Sequence, residues 1–138
     1  MRFLAPARTA VAAATFDHPV FSLLAPWRGL LDGADWPGID DLDARLSPLR
    51  HATTGRELHL VDQAGCALDG QHYETRIHAQ GRIATRTDNW HDLFNALAWK
   101  RLPAVKSALN ARQVADIARY GARQRTRGQD AMTQFDEA

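Results

Sequence analysis

Between Asp17 and Leu31 the apolar residues Val20, Phe21, Leu23, Leu24, Trp27, Leu30 and Leu31 recur at helical spacing, with Pro26 in their midst. A proline has no N–H and crowds the preceding turn, so the pattern predicts a broken helix. Gly33 to Gly38, carrying Trp36-Pro37, reads as a loop. Asp40 opens a short helix through Leu49 that Pro48 disturbs and Thr53-Thr54-Gly55 ends. Leu58 to Val61 reads as a strand. So do Tyr73 to His78 and Arg82 to Thr85, joined in hairpin fashion by Ala79-Gln80-Gly81.

Two helices follow. In the first, Asn89 to about Arg101, the residues Trp90, Leu93, Phe94 and Leu97 form the buried stripe, Asp88 or Asn89 caps the start, and Asp92 lies near the positive helix end. Leu102-Pro103 breaks it. The second runs from Pro103, acceptable in a first turn, to Tyr120, where Gly121 supplies a C-cap. Gln129 to Glu137 adds a helix or helical turn. The expected fold is α+β: a small antiparallel sheet, a β-hairpin plus one strand, packed with a helical hairpin. No repeat or linker splits residues 1–138 into two domains.

Composition thins the expected core. Apolar residues make up 45% of the 138, but 24 are alanine, and Leu, Ile, Val and Phe together number 29. No apolar run approaches the ~18 residues of a membrane span. A lone cysteine, Cys66, excludes a disulfide framework. Arg2 and Arg8 before Ala10 to Ala14 imitate an export signal poorly, because the apolar stretch is short and leucine-free, so a cytoplasmic protein is expected.

The net charge of +1 hides an asymmetry. Asp32, Asp35, Asp40, Asp41 and Asp43 crowd the first third, whereas Lys100 to Arg127 holds eight Lys or Arg against Asp116 alone. Such a basic stretch suits phosphates, or the acidic first third of the same chain.

The candidate chemistry lies on the two long helices. His91, Asn95 and Trp99 line up beside the stripe of the first. On the second, Val105, Leu109, Ile117 and Tyr120 define the apolar face, and Lys106, Asn110 and Gln113 fall inside the same arc. A buried unpaired cation costs several kcal/mol, so these groups need partners. A short connection makes the helices antiparallel, and His91 and Asn95 are then able to face Lys106 and Asn110. One reading is a polar interhelical pocket: His91 supplies general acid/base capacity, Lys106 holds an anion, Asn95, Asn110 and Gln113 orient groups, and Asp130 and Asp136 supply carboxylates. The other is a buried network that fixes helix register.

His78 near the end of a strand, followed by Asn89, His91 and Asn95, weakly mimics the ββα metal finger of HNH nucleases. His18, His51, His59 and His72 read as surface or strand positions. No Cys pair for zinc, Gly-rich phosphate loop or Gly-x-Ser-x-Gly elbow is present.

The stretch Thr85-Arg86-Thr87-Asp88-Asn89-Trp90-His91-Asp92-Leu93-Phe94-Asn95-Ala96-Leu97-Ala98-Trp99 resembles bacterial domain-of-unknown-function family 3025, whose members carry a similar Asn-Trp-His-Asp-x-Phe-Asn-Ala run. The likeness continues through Pro103, Lys106, Ala108, Leu109 and Asn110. It includes Tyr73-Glu74-x-Arg76-Ile77 and Asp130-Ala131-x-Thr133-x-Phe135-Asp136-Glu137. It thus covers most of the chain from about Leu58, with a looser match at Asp17 to Trp27. The resemblance implies no known activity, substrate or cofactor. It does imply that His91, Asn95, Lys106, Asn110, Asp130, Asp136 and Glu137 occupy family motif positions. Leu102 stands where Phe is expected, and Gln113 where a His is common, which weakens a metal or acid/base role for that helix. Family members are about twice as long, so the resemblance makes this chain the N-terminal part of a longer fold.

The expected function is therefore binding, and possible hydrolysis, of a small anionic ligand in the interhelical pocket. The alternative is a non-enzymatic module whose basic C-terminal third meets nucleic acid or a protein. The thin core, read with the family length, predicts an exposed apolar patch that a dimer or the missing half would cover.

Overall fold

The computed structural model describes residues 4–66 and 71–121. Three strands, β1 (Leu49–Arg50), β2 (Glu57–Asp62) and β3 (Arg82–Thr85), form one sheet in that order. β1 pairs antiparallel with β2, Leu49 opposite Leu58. β2 pairs parallel with β3, from His59 opposite Arg82 to Asp62 opposite Thr85. Parallel neighbours need a crossover, and the helix α3 (Tyr73–Gln80) lies within it.

The α+β class stands, but the sheet is mixed where an antiparallel hairpin was expected, and Tyr73–His78 is helical. The alternation of Tyr73, Thr75 and Ile77 suits a strand, yet Tyr73 and Ile77 are also one helical turn apart. Both helix ends are chemically closed. His72 Nδ1 accepts the Glu74 N–H at 3.2 Å, and Gly81 donates its N–H to the Ile77 carbonyl at 2.9 Å. Gly81 sits at φ +69°, and a Cβ there would collide with the Glu57 carbonyl oxygen. The expected hairpin turn is thus a left-handed helix cap that feeds β3.

The broken helix expected over Asp17–Leu31 is largely 3-10 turn, Pro19–Trp27 with Pro26 inside, followed by the short α1 (Arg28–Asp32). The helix α2 (Ile39–Leu46) ends before the cis Ser47-Pro48 peptide, and the chain enters β1. The helices α4 (Trp90–Arg101) and α5 (Pro103–Tyr120) have the expected bounds. Asn89 Oδ1 caps α4 by accepting the Asp92 N–H at 3.0 Å. The expected helix at Gln129–Glu137 lies outside the described residues.

The core joins these elements. Leu46, Leu58, Ile77, Ile83 and Leu97 are fully buried. α2 packs on β2, α3 lies between β3 and α5, and α4 packs beside α5. The N-terminal segment is stapled to this frame by Arg8, whose Nε donates to the Gly33 carbonyl at 2.8 Å and whose guanidinium lies 5.0 and 5.3 Å from the ring centroids of Trp36 and Trp90. The Trp90 indole N–H donates to the Pro6 carbonyl. On this segment Leu4, Val20 and Leu23 are 79%, 67% and 50% exposed.

Candidate functional site

α5 turns a polar side inward. Asn110 is 1% and Lys106 8% exposed, while Val105 and Tyr120 of the expected apolar face are 43% and 41% exposed. The arrangement has a local cause: Leu109 and Ile117 stay half-buried, while α5 packs on α3 and on the loop after β1, and the polar groups there need partners. Ser107 Oγ accepts the Ala52 N–H at 2.8 Å. Asn110 lies between two others. Its Oδ1 is 2.9 Å from His51 Nε2, and its Nδ2 donates to the Glu74 carbonyl at 2.9 Å and to Glu74 Oε2 at 2.6 Å.

His51, grouped above with the surface or strand histidines, is 0% exposed. Its Nδ1 accepts the N–H groups of Thr53 and Thr54, both at 3.2 Å, so the ring proton resides on Nε2 and is donated to Asn110. Burial pushes this imidazole below its ordinary value; the Asn110 bond opposes the shift and His78 adds to it. The unfolded chain then takes up a proton near pH 6.5 that the native chain does not. Stability due to His51 is complete above that pH and drains away as the pH falls toward the lower native value. His59 has the opposite sign. Its bond to Asp43 raises it, giving stability below its ordinary value that is lost as pH rises, but the pair is half-exposed and solvent-screened. We therefore expect the urea midpoint to fall between about pH 7.5 and about 5.5. A midpoint that rises over that interval would contradict the neutral His51.

Among the expected site residues, Asn95, Lys106 and Asn110 come together around the first turn of α3. Asn95 Nδ2 donates to the Tyr73 hydroxyl at 3.0 Å, and Lys106 Nζ lies 5.7 Å from the ring centroid of the buried Trp99. Gln113 is half-buried on the same side of α5. The interhelical space bounded by Tyr73, Glu74, Trp99, Lys106 and Asn110 is about 10 Å³, room for one water at most. His91 is not part of this cluster. It stands on the exposed first turn of α4, where its Nδ1 lies 3.1 Å from Asp92 Oδ1. Asp130 and Asp136, with Glu137, lie outside the described residues.

Tyr73 also borders a larger space. A groove of about 830 Å³ opens at the carboxyl ends of β2 and β3, lined by Asp62, Gln63, Cys66, Gln71, Tyr73, Arg76, Arg86 and Thr87 among others. Ligands of open α/β sheets bind at such strand ends, where loops diverge. Arg76, 4% exposed, donates from Nη2 to the carbonyls of Cys66 and Gln71 and holds one wall. Arg86 is oriented by Asp92: its backbone N–H and Nε donate to Oδ2 at 2.8 and 2.9 Å, and Nη2 donates to Oδ1 at 3.0 Å. Burial pushes the Asp92 carboxyl up, but the hydrogen bonds from Arg86 and His91 outweigh it and leave it below the usual value. Asp92 thus links the groove arginine to His91.

The ββα metal finger needs His78 on a hairpin strand, and His78 is instead on α3, its ring 5.6 Å from that of His51. Among the described residues, no three His, Cys, Asp or Glu side chains come together to hold a metal, and no helix is long and apolar enough to cross a membrane. The basic third is partly engaged: Lys100 Nζ donates to the Pro48 carbonyl, Lys106 is buried, and Arg112 lies 3.5 Å from Asp116. The acidic first third meets cations of its own neighbourhood, Arg28 with Asp17 and Asp32 and Arg45 with Asp41, while Asp43 bonds the His59 ring of β2.

A family model described as protein of unknown function (DUF3025) matches residues 58–138. The chain belongs to the DUF3025 family. No curated protein and no solved structure matches it. Every groove residue named above falls within the DUF3025 match, as do Asn95, Lys106 and Asn110. His51 and the looser likeness at Asp17–Trp27 fall outside it. Sequence reasoning missed the groove because it depends on the parallel β2–β3 pairing. The available signal was Gly81, whose role as a helix cap turns Tyr73–Gln80 into a crossover.

Proposed function

We propose that this DUF3025 chain binds a small anionic ligand in the groove at the carboxyl ends of β2 and β3. The observation that carries the reading is Arg86, which lines the groove with its guanidinium aligned by two bonds to Asp92. An arginine held in this way loses little side-chain freedom on meeting a phosphate or carboxylate. The volume suits a small molecule. Asn95, Lys106, Asn110 and Gln113 act through the wall, because Asn95 and Asn110 fix the first turn of α3 on which Tyr73 stands. His91 is the acid/base group for hydrolysis of the bound ligand, with Asp92 orienting its ring. Asp130 and Asp136 are the further carboxylates assigned to that step.

Inorganic phosphate is the first probe. Calorimetric titration should give saturable binding to the parent chain, and Arg86→Gln should weaken it at least about tenfold with the far-UV spectrum unchanged. His91→Gln should leave phosphate affinity within about twofold while removing hydrolysis of a phosphate ester. Equal affinity in the parent and Arg86→Gln would overturn the reading.

A second reading, a non-enzymatic module that meets a protein or a second copy, is favoured by a different observation. An apolar groove of about 310 Å³ lies between Pro6, Phe16, Phe21, Trp90 and Phe94, near the exposed Leu4 and Val20 in the chain. A monomeric mass by light scattering removes the dimer form of this reading.

A further inference from the structure

The two strand ends that form the carboxyl-end groove carry opposite chemistry. β3 leads into Arg86 and Thr87, which present N–H and O–H donors. Of the five N–H groups of a guanidinium, Arg86 gives two to Asp92, and the rest have no partner among the described residues. β2 ends in Asp62, a carboxylate that can only accept. Its Oδ1 accepts the Ala64 N–H at 2.9 Å, which fixes the side chain, and its Oδ2 has no partner among the described residues. Because Asp62 pairs with Thr85 across adjacent parallel strands, the acceptor and donor ends lie side by side at one rim.

A bare anion uses only half of this arrangement. Placed on Arg86, it has a neighbouring carboxylate that repels it and most of about 830 Å³ left to water. A neutral sugar has the reverse fault, since it satisfies Asp62 but offers Arg86 no charge. We infer that the ligand is a sugar phosphate, with its phosphoryl oxygens on Arg86 and Thr87 and its hydroxyls donating to Asp62. Tyr73, whose hydroxyl accepts from Asn95, adds an aromatic side chain to the groove lining for the apolar side of the sugar. The inference rests on the anion-binding reading above and adds the class of molecule that carries the anion.

The test compares four probes by calorimetry on the whole chain: inorganic phosphate, ribose, ribose 5-phosphate and adenosine monophosphate. Ribose 5-phosphate should bind at least about tenfold more tightly than inorganic phosphate, and ribose should show no saturation. Asp62→Asn keeps an acceptor for the Ala64 N–H. It should reduce the tenfold preference to about threefold or less, with inorganic phosphate held as well as before or better. Arg86→Gln should weaken both phosphates together.

Equal affinities for inorganic phosphate and ribose 5-phosphate, or a preference that survives Asp62→Asn, would overturn the sugar-phosphate assignment while leaving anion binding standing. Adenosine monophosphate binding about tenfold more tightly than ribose 5-phosphate would also overturn it, by making the class nucleotide. Failure of the parent chain to bind any of the three phosphates would instead remove the anion-binding reading itself.

Discussion

Replacing Asn110 with alanine is expected to lower the free energy of unfolding by about 3–4 kcal/mol, read as a drop in urea midpoint at unchanged slope. The size follows from what the amide serves. It accepts from His51 Nε2 and donates to both the carbonyl and the carboxylate of Glu74, in a place where Asn110 itself is 1% exposed. Truncation orphans the buried His51 donor and takes one bond each from the Glu74 carbonyl and carboxylate. Each buried orphan costs about 1–3 kcal/mol, and water entering the enlarged void offsets part of the sum. Asn110→Asp separates this account from simple loss of volume. It keeps an acceptor for His51, removes the donors and places a second carboxylate beside Glu74, so it should be destabilising at neutral pH and partly restored by mild acid. Mild acid weakens the parent chain. A cost below about 1 kcal/mol for Asn110→Ala would mean that solvent already reaches these groups.

The same residue marks the limit of what the sequence discloses. Asn89 as a cap, Pro103 in a first turn and Gly121 after Tyr120 are local chemistry, and each is where the sequence places it. Tyr73–Gln80 is ambiguous because Tyr73 and Ile77 satisfy periods of both 2 and 3.6. The decision comes from β2 and β3, whose parallel pairing demands a crossover. The burial of Lys106 and Asn110 on α5 is legible in the sequence, but not the partners they meet. A helix buries its polar side only where distant partners wait, and those of Asn110 are His51, 59 positions away, and Glu74, 36 positions away. His51 carries no motif and sits in a polar loop, so only the folded chain identifies it.

Asp92→Ala should cost about 3 kcal/mol of stability and weaken phosphate binding at least about tenfold, two effects from one carboxylate. Its side chain is 11% exposed and receives the Arg86 backbone N–H, two N–H groups of the Arg86 guanidinium and a bond from His91. Removing it leaves the connection from β3 to α4 unpinned and the groove arginine free to rotate, so binding must again supply the entropy of ordering Arg86. Acid titration gives an independent check. The native Asp92 carboxyl lies below its ordinary 3.8, so its stabilisation is complete above that value and disappears as the pH falls through the native one. The stability gap between the parent and Asp92→Ala should therefore be constant from neutral pH to about 4 and close in stronger acid. The His91 ring supplies a third readout, since the Asp92 carboxylate can only accept and so favours the form with a proton on Nδ1. Nitrogen chemical shifts should show that tautomer in the parent and a mixture in the variant. A variant that loses stability but keeps both phosphate affinity and the single tautomer would make Asp92 a structural staple alone.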